Sequence, residues 1–177
     1  MSALLEKKSF TYEDIRALPE GPYEIIDGER IDMTPTGFRH GRFEFKIARL
    51  LEDFFKDKGY VAGGEVGIII TKSPLRVRAA DVVYISKKKL PVEPEGMLEI
   101  PPDLIVEIVS ESNMQWELTS KVKDYLSFGV ERVVLVDPQT ETVNIYQKGK
   151  REVLLFNFDE EFEMFEGLMV KLKELVS

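Results

Sequence analysis

The chain has 177 residues, 44% hydrophobic and 32% charged, a balance that fits one globular domain over residues 1–177 and excludes a disordered or fibrous polymer. It holds no cysteine and one histidine, His40, which removes disulfide frameworks and thiolate metal sites and leaves little material for a multi-histidine centre or a His-based triad within one chain. The formal charge of −8 argues against broad, non-specific coating of nucleic acid but not against a local basic cleft; with no apolar run of bilayer length and no apolar h-region at the start, the expectation is a soluble, cytoplasmic α/β protein.

In chain order, Tyr12 to Leu18 reads as a short helix with Thr11 as N-cap, stopped by Pro19 and Gly21. YEIIDGERIDM sets two β-rich arms around Asp27-Gly28, a hairpin signal. Phe38 to Lys58 is a helix whose Phe43, Ile47, Leu50, Leu51, Phe54 and Phe55 make one apolar stripe, with Gly59 expected as its C′ residue. Strands follow at Tyr60 to Thr71, Val77 to Ile85 and Asp103 to Ser110, with Lys87 to Pro102 as a surface loop. Ser112-Asn113-Met114-Gln115 has capping-box spacing, and the next helix turns Leu118, Val122, Tyr125 and Leu126 to one face before Phe128-Gly129 closes it. The strand ERVVLVD completes a βαβ unit, which implies a right-handed crossover between parallel strands. TVNIYQ and EVLLFNF read as an antiparallel pair, and Glu160 to Val176 fits either helix or irregular structure.

One residue breaks the pattern. In DLIVEIVS, Glu107 interrupts a run that otherwise marks a strand covered on both faces. An unpartnered buried carboxylate costs several kcal/mol, so it must be paired, hydrogen-bonded, protonated or metal-bound. The ordinary alternative is a solvated strand face or a structural pair with Lys or Arg. Asp81 opens the run Val82-Val83-Tyr84-Ile85 and by itself reads as a strand-edge acid. Beside Glu107, and with the Ile108 carbonyl, it would form a hard oxygen site for Mg²⁺ or Mn²⁺. Lys121 lies on the flank of its helix stripe, from where its ammonium can reach Glu107 and stabilise charge on a reacting phosphate; a surface pair with Glu117 is the bland alternative. Glu24 and Glu65 could each add a carboxylate. Arg39, His40 and Arg42 stand at a helix N-terminus, a natural place for an anion. GGEVG lacks the spacing and lysine of a phosphate loop.

The ordered set YEIIDGE, His40 at a helix start, AADVVYI, PPDLIVEIVS, Lys121 with Tyr125, and FGVERVVLVDP resembles the Uma-type restriction endonuclease family of bacteria, within the PD-(D/E)xK nuclease superfamily. The resemblance covers roughly Tyr23 to Tyr146 and is most specific from Pro101 to Pro138. It implies a central mixed sheet flanked by helices, restriction-endonuclease-like, and Mg²⁺-dependent hydrolysis of DNA. Carried over by position, Asp81 and Glu107 are metal ligands. Val109 stands where the superfamily's lysine usually does, and Lys121 on the following helix replaces it. Ala80 stands where the motif's proline often sits. Glu24 is then an accessory group and His40 contacts phosphate or supports the site.

Three functions compete: a metal-dependent DNA endonuclease, a non-catalytic nuclease-fold module that binds nucleic acid or assembles, and a phosphoesterase acting on a small or RNA substrate. Lys72, Arg76 and Arg78, Lys87 to Lys89, and Lys148, Lys150 and Arg151 strengthen the first if they converge on the Asp81–Glu107 cleft; an acidic cleft weakens it. A homodimer is expected, since a protein this small needs two copies to cut both strands of a duplex.

Overall fold

The computed structural model describes residues 9–18, 21–111 and 113–177. A 3₁₀ turn at Tyr12–Ala17 starts on Thr11, whose N–H donates to Asp14 Oδ2 at 2.8 Å; Pro19, expected to stop it, lies outside the described residues. Strands β1 (Tyr23–Ile26) and β2 (Glu29–Asp32) form the expected hairpin, and Asp27 and Gly28 both take the positive φ that a tight I′ turn requires. Helix α1 (Phe38–Phe55) buries Phe43, Ile47, Leu51 and Phe55, each contributing about 1.5–3 kcal/mol by burial. The helix ends at Lys56, so Gly59 is not its C′ residue. It opens β3 (Gly59–Lys72), where a Cβ would press into the Ile85 carbonyl and the Tyr84 ring. The glycine serves close strand pairing rather than helix termination.

Strand β4 (Leu75–Ser86) returns antiparallel along β3. The segment 87–102 is loop, yet it is pinned at Leu98, which is buried and exchanges backbone hydrogen bonds with Gly67 and Ile69. Strand β5 (Leu104–Ile108), helix α2 (Gln115–Phe128) and strand β6 (Arg132–Asp137) make the βαβ unit, with β5 and β6 parallel and Gly129 closing α2 at φ +119°. Ser112, expected to cap α2, lies outside the described residues; the Met114 N–H is taken instead by the Glu117 carboxylate at 2.9 Å. Strands β7 (Thr142–Gln147) and β8 (Leu154–Asn157) form the antiparallel pair. The tail is a hairpin, β9 (Phe162–Phe165) and β10 (Leu168–Val170), followed by the short helix α3 (Leu172–Val176). Phe162, Met164, Leu168 and Val170 turn inward, and Glu166-Gly167 at positive φ makes the turn, so strand alternation decided a segment that had read as helix or irregular.

The result is a mixed sheet in the order β2-β1-β4-β5-β6-β7-β8, with β3 paired to the other edge of β4. Helix α1 and the C-terminal hairpin cover one face, and α2 covers the other. No helix among the described residues is long and apolar enough to cross a membrane.

Two strands share one edge of β4. Strand β1 meets it at Val77, through Ile25. Strand β5 meets it from Val82 to Tyr84, through Val106 to Leu104. Between them the edge at Ala79 to Asp81 has no strand partner among the described residues. On the opposite edge, β3 bulges: pairing passes from Gly63–Val82 to Val66–Ala80, leaving Gly64 and Glu65 at positive φ beside Asp81. Bulges re-aim side chains in this way next to functional sites.

Candidate active site

The split in β4 has to be filled by side chains, because its backbone groups lack a strand to bond. Continuing the β4–β5 register by one step would set Asp81 opposite Glu107. Instead the Ile108 N–H donates to Asp81 Oδ2 at 2.6 Å, so the aspartate wedges the strands apart. Backbone N–H and C=O of one strand residue point the same way, so the Ile108 carbonyl also faces this side. The Ala79 carbonyl accepts from Lys121 Nζ at 2.9 Å, and the Ala79 N–H donates to Glu24 Oε1 at 3.3 Å.

Asp81 and Glu107 are each 4% exposed and line one cavity of about 600 Å³ together with Lys121, His40 and Glu65. Glu107 accepts from Lys121 Nζ at 2.8 Å and from the Tyr125 hydroxyl at 2.6 Å, and Glu24 Oε1 lies 3.5 Å from the same ammonium. Lys121 is therefore not the surface partner of Glu117. Arg78, itself buried, donates to Glu24 Oε2 and Asp124 Oδ2 at 2.7 Å each and to Ser120 Oγ at 2.8 Å, tying β1 and α2 to β4. The structure thus brings Asp81, Glu107, Lys121, Glu24 and His40 together.

Glu65, expected as an optional extra carboxylate, lines the cavity, and two further groups had no site role in the sequence reading. Tyr125 counted as a core residue and as part of the resemblance beside Lys121, with no role of its own, yet its hydroxyl holds Glu107. Glu44 stands one helical turn after His40; their ligand atoms and one from Asp81 all lie within 4.8 Å of one another. Glu65 enters through the bulge, where the two glycines before it were the available signal. His40 Nε2 lies 3.3 Å from Asp81 Oδ1 without hydrogen-bond alignment, and both its ring nitrogens and Glu65 Oε2 are buried with no hydrogen-bond partner among the described residues.

The electrostatics follow from burial and crowding. Burial pushes the Glu107 carboxyl up to about 8, against the pull of Lys121 and with the push of Asp81. Burial and the Asp81 charge raise Glu65 to about 7, and the same two causes raise Glu44. Burial pulls His40 down, but Asp81, Glu44 and Glu65 more than offset it, and its pKa is raised. Lys121 likewise rises despite burial, because Glu107, Glu24 and Asp81 surround it. Among the described residues the cavity wall carries two lysine or arginine side chains, Arg39 and Lys121, and the imidazole of His40, beside acids that include Asp32, Glu111 and Glu117. Arg39 is engaged with the Pro138 carbonyl at 2.7 Å. The basic clusters do not converge here: Lys72 pairs with Glu99, Arg76 with Asp27 and Asp124, and Lys89 with Asp103 and Glu131.

The Uma2 family model, described as "putative restriction endonuclease", matches residues 11–173. The chain belongs to the Uma2 family. The solved structure of a "putative nuclease belonging to DUF820" from Anabaena variabilis ATCC 29413 is similar to this Uma2 chain with a TM-score of 0.81 at 21% identity, over 94% of this chain and 97% of that one. At that identity the likeness shows a shared nuclease-like fold, a mixed sheet with flanking helices. No curated protein matches the sequence.

The donor set fits a divalent cation. Oxygen ligands dominate, as Mg²⁺ and Mn²⁺ prefer, and the imidazole is acceptable to Mn²⁺. The unpartnered atoms of His40 and Glu65 are those a cation would engage. Carboxyls raised by burial and by a neighbouring carboxylate are also those a cation would return to the ionised form.

Proposed function

We propose that this chain is a metal-dependent endonuclease hydrolysing DNA phosphodiester bonds, with Mg²⁺ or Mn²⁺ as its ion. The observation that carries the reading is the meeting of Asp81, Glu107 and Lys121 in one cavity at the split of β4, in a chain of this family. Asp81, Glu107 and the Ile108 carbonyl are the groups to hold the ion, with His40, Glu44 and Glu65 extending the set. When bound, a divalent cation supplies Lewis acidity and neutralises phosphate charge. The chain's own groups do the rest. The Ile108 amide fixes the Asp81 carboxylate, and Tyr125 fixes Glu107. The Lys121 ammonium stabilises charge on the reacting phosphate and orients water, while Glu24 and the Ala79 carbonyl set where it points. A homodimer would bring two such clefts to one duplex.

The acidity of the cavity wall favours a second reading, a nuclease-fold module that does not cut. Without a cation this wall repels phosphate. The two readings separate on purified protein and supercoiled plasmid with Mn²⁺ or Mg²⁺. The endonuclease reading expects nicking that Asp81→Ala and Glu107→Ala abolish. Equal activity in wild type and both variants would sink it, and binding without cleavage under every divalent ion would establish the second reading.

A further inference from the structure

We infer that the solvent face of the first half of α1 is the surface that grips the DNA flanking the cleft. The inference rests on the endonuclease reading and adds where the substrate lies. Phe38, Arg42, Phe45 and Arg49 recur at i, i+4, i+7 and i+11, which sets them on one stripe of the helix. All four are exposed, on the side away from the buried Phe43, Ile47 and Leu51. Phe38 is 89% exposed and Phe45 66%, an unusual cost for a helix face turned to solvent. The Arg42 guanidinium has no partner among the described residues, and Arg49 reaches only Asp53, at a loose 3.8 Å.

Position and charge select the occupant. Gly37, Arg39 and His40 at the start of α1 line the catalytic cavity, so the stripe begins at its rim. From Phe38 to Arg49 the helix carries Arg39, Arg42, Lys46 and Arg49 against Glu44; Arg39 donates to the Pro138 carbonyl and Lys46 to the Leu175 and Ser177 carbonyls, which leaves Arg42 and Arg49 to face a ligand, and the far end turns acidic at Glu52 and Asp53. In a chain of net charge −8 this is a local reversal of sign. The basic residues on β3 and β4 cannot serve, because Lys72, Arg76 and Arg78 are spent in ion pairs. The cleft itself is acidic, so it cannot hold the flanking phosphates. The stripe runs about 16 Å at 1.5 Å per residue, the length of roughly five base-pair steps. Arginines spaced with exposed aromatics suit a nucleic-acid strand: guanidinium groups take phosphates, and phenyl rings lie against sugars and bases.

The test reads binding of a labelled 20-base-pair duplex by fluorescence anisotropy against salt, on full-length protein carrying Glu107→Gln to suppress cleavage. Arg42→Gln with Arg49→Gln should flatten the salt dependence of log K by about 1.8, at 0.9 per phosphate contact. Phe38→Ala with Phe45→Ala should weaken binding about tenfold with the slope unchanged. Lys148→Gln with Lys150→Gln, exposed cations on the β7–β8 turn, should leave both unchanged. All six side chains are exposed, so the fold is preserved, as circular dichroism would verify. Unchanged affinity and slope in both α1 variants, or an equal loss in the β7–β8 variant, overturns the inference; if the otherwise wild-type chain still cuts plasmid, the endonuclease reading survives it. A chain that neither binds nor cuts DNA, but self-associates through Phe38 and Phe45, overturns both.

Discussion

Replacing Lys121 by methionine keeps the side-chain volume but removes the ammonium that Glu107, the Ala79 carbonyl and Glu24 share. Below about pH 8 Glu107 carries its proton, so the loss is that of a carbonyl and an acid with fewer donors, about 1–3 kcal/mol. Above that pH the two proteins part. The folded-state pKa of Glu107 is raised above its ordinary value of 4.5, so folding stability falls as pH rises from 4.5 to about 8 in the wild type and then flattens once Glu107 ionises against Lys121. In Lys121→Met nothing opposes burial, the folded pKa lies higher still, and stability keeps falling by about 1.4 kcal/mol per pH unit. The gap between the proteins should therefore be constant from pH 5 to 8 and widen by about 1.4 kcal/mol at pH 9, toward the roughly 3–5 kcal/mol of a buried pair broken from one side. Urea denaturation across pH reads it directly. An equal gap at pH 6 and pH 9 would refute the reasoning, because Glu107 would then not depend on Lys121 for its charge.

Other substitutions probe neighbouring groups. Glu65 is raised to about 7, so the wild type loses stability as pH climbs from 4.5 through 7; Glu65→Gln should match it at pH 4 and exceed it at pH 8 by on the order of 1–2 kcal/mol, seen as a higher melting temperature at pH 8 only. Arg78→Met leaves Glu24 and Asp124 buried without their shared partner and should cost about 3–5 kcal/mol in urea, whereas an unchanged midpoint would remove Arg78 from the account. Gly59→Ala should lower stability by about 1–3 kcal/mol through contact with Ile85 and Tyr84, while Gly37→Ala, with open space around it, should not.

Much of this architecture is legible without coordinates because it depends on short-range signals. Asp27-Gly28 announces its hairpin, the α1 stripe its buried face, and the β5–α2–β6 unit its parallel crossover. Glu107 could be singled out because a lone acid in an apolar strand is a local anomaly. Features set by register were harder. Glu65 reaches the cavity only because β3 bulges opposite Asp81, and which residues face each other across two strands is not written in either one. A helical wheel places the Tyr125 ring in the core but does not say where its hydroxyl ends. The basic clusters looked available in the sequence because their partners are far away in the chain: Arg76 and Arg78 meet Asp124 across more than 40 residues. The tail misled for another reason, since its alternating apolar positions are interleaved with acids that suit a helix equally well.

The claim that the split of β4 is a cation site is tested most directly by crystals soaked in Mn²⁺ and measured at the manganese edge. The account predicts an anomalous peak in the cavity touching Asp81, with further ligands from Glu107 and the Ile108 carbonyl or from His40, Glu44 and Glu65, and no peak in Asp81→Ala crystals. A wild-type cavity without a peak at saturating Mn²⁺, with Lys121 still bound to Glu107, would contradict it.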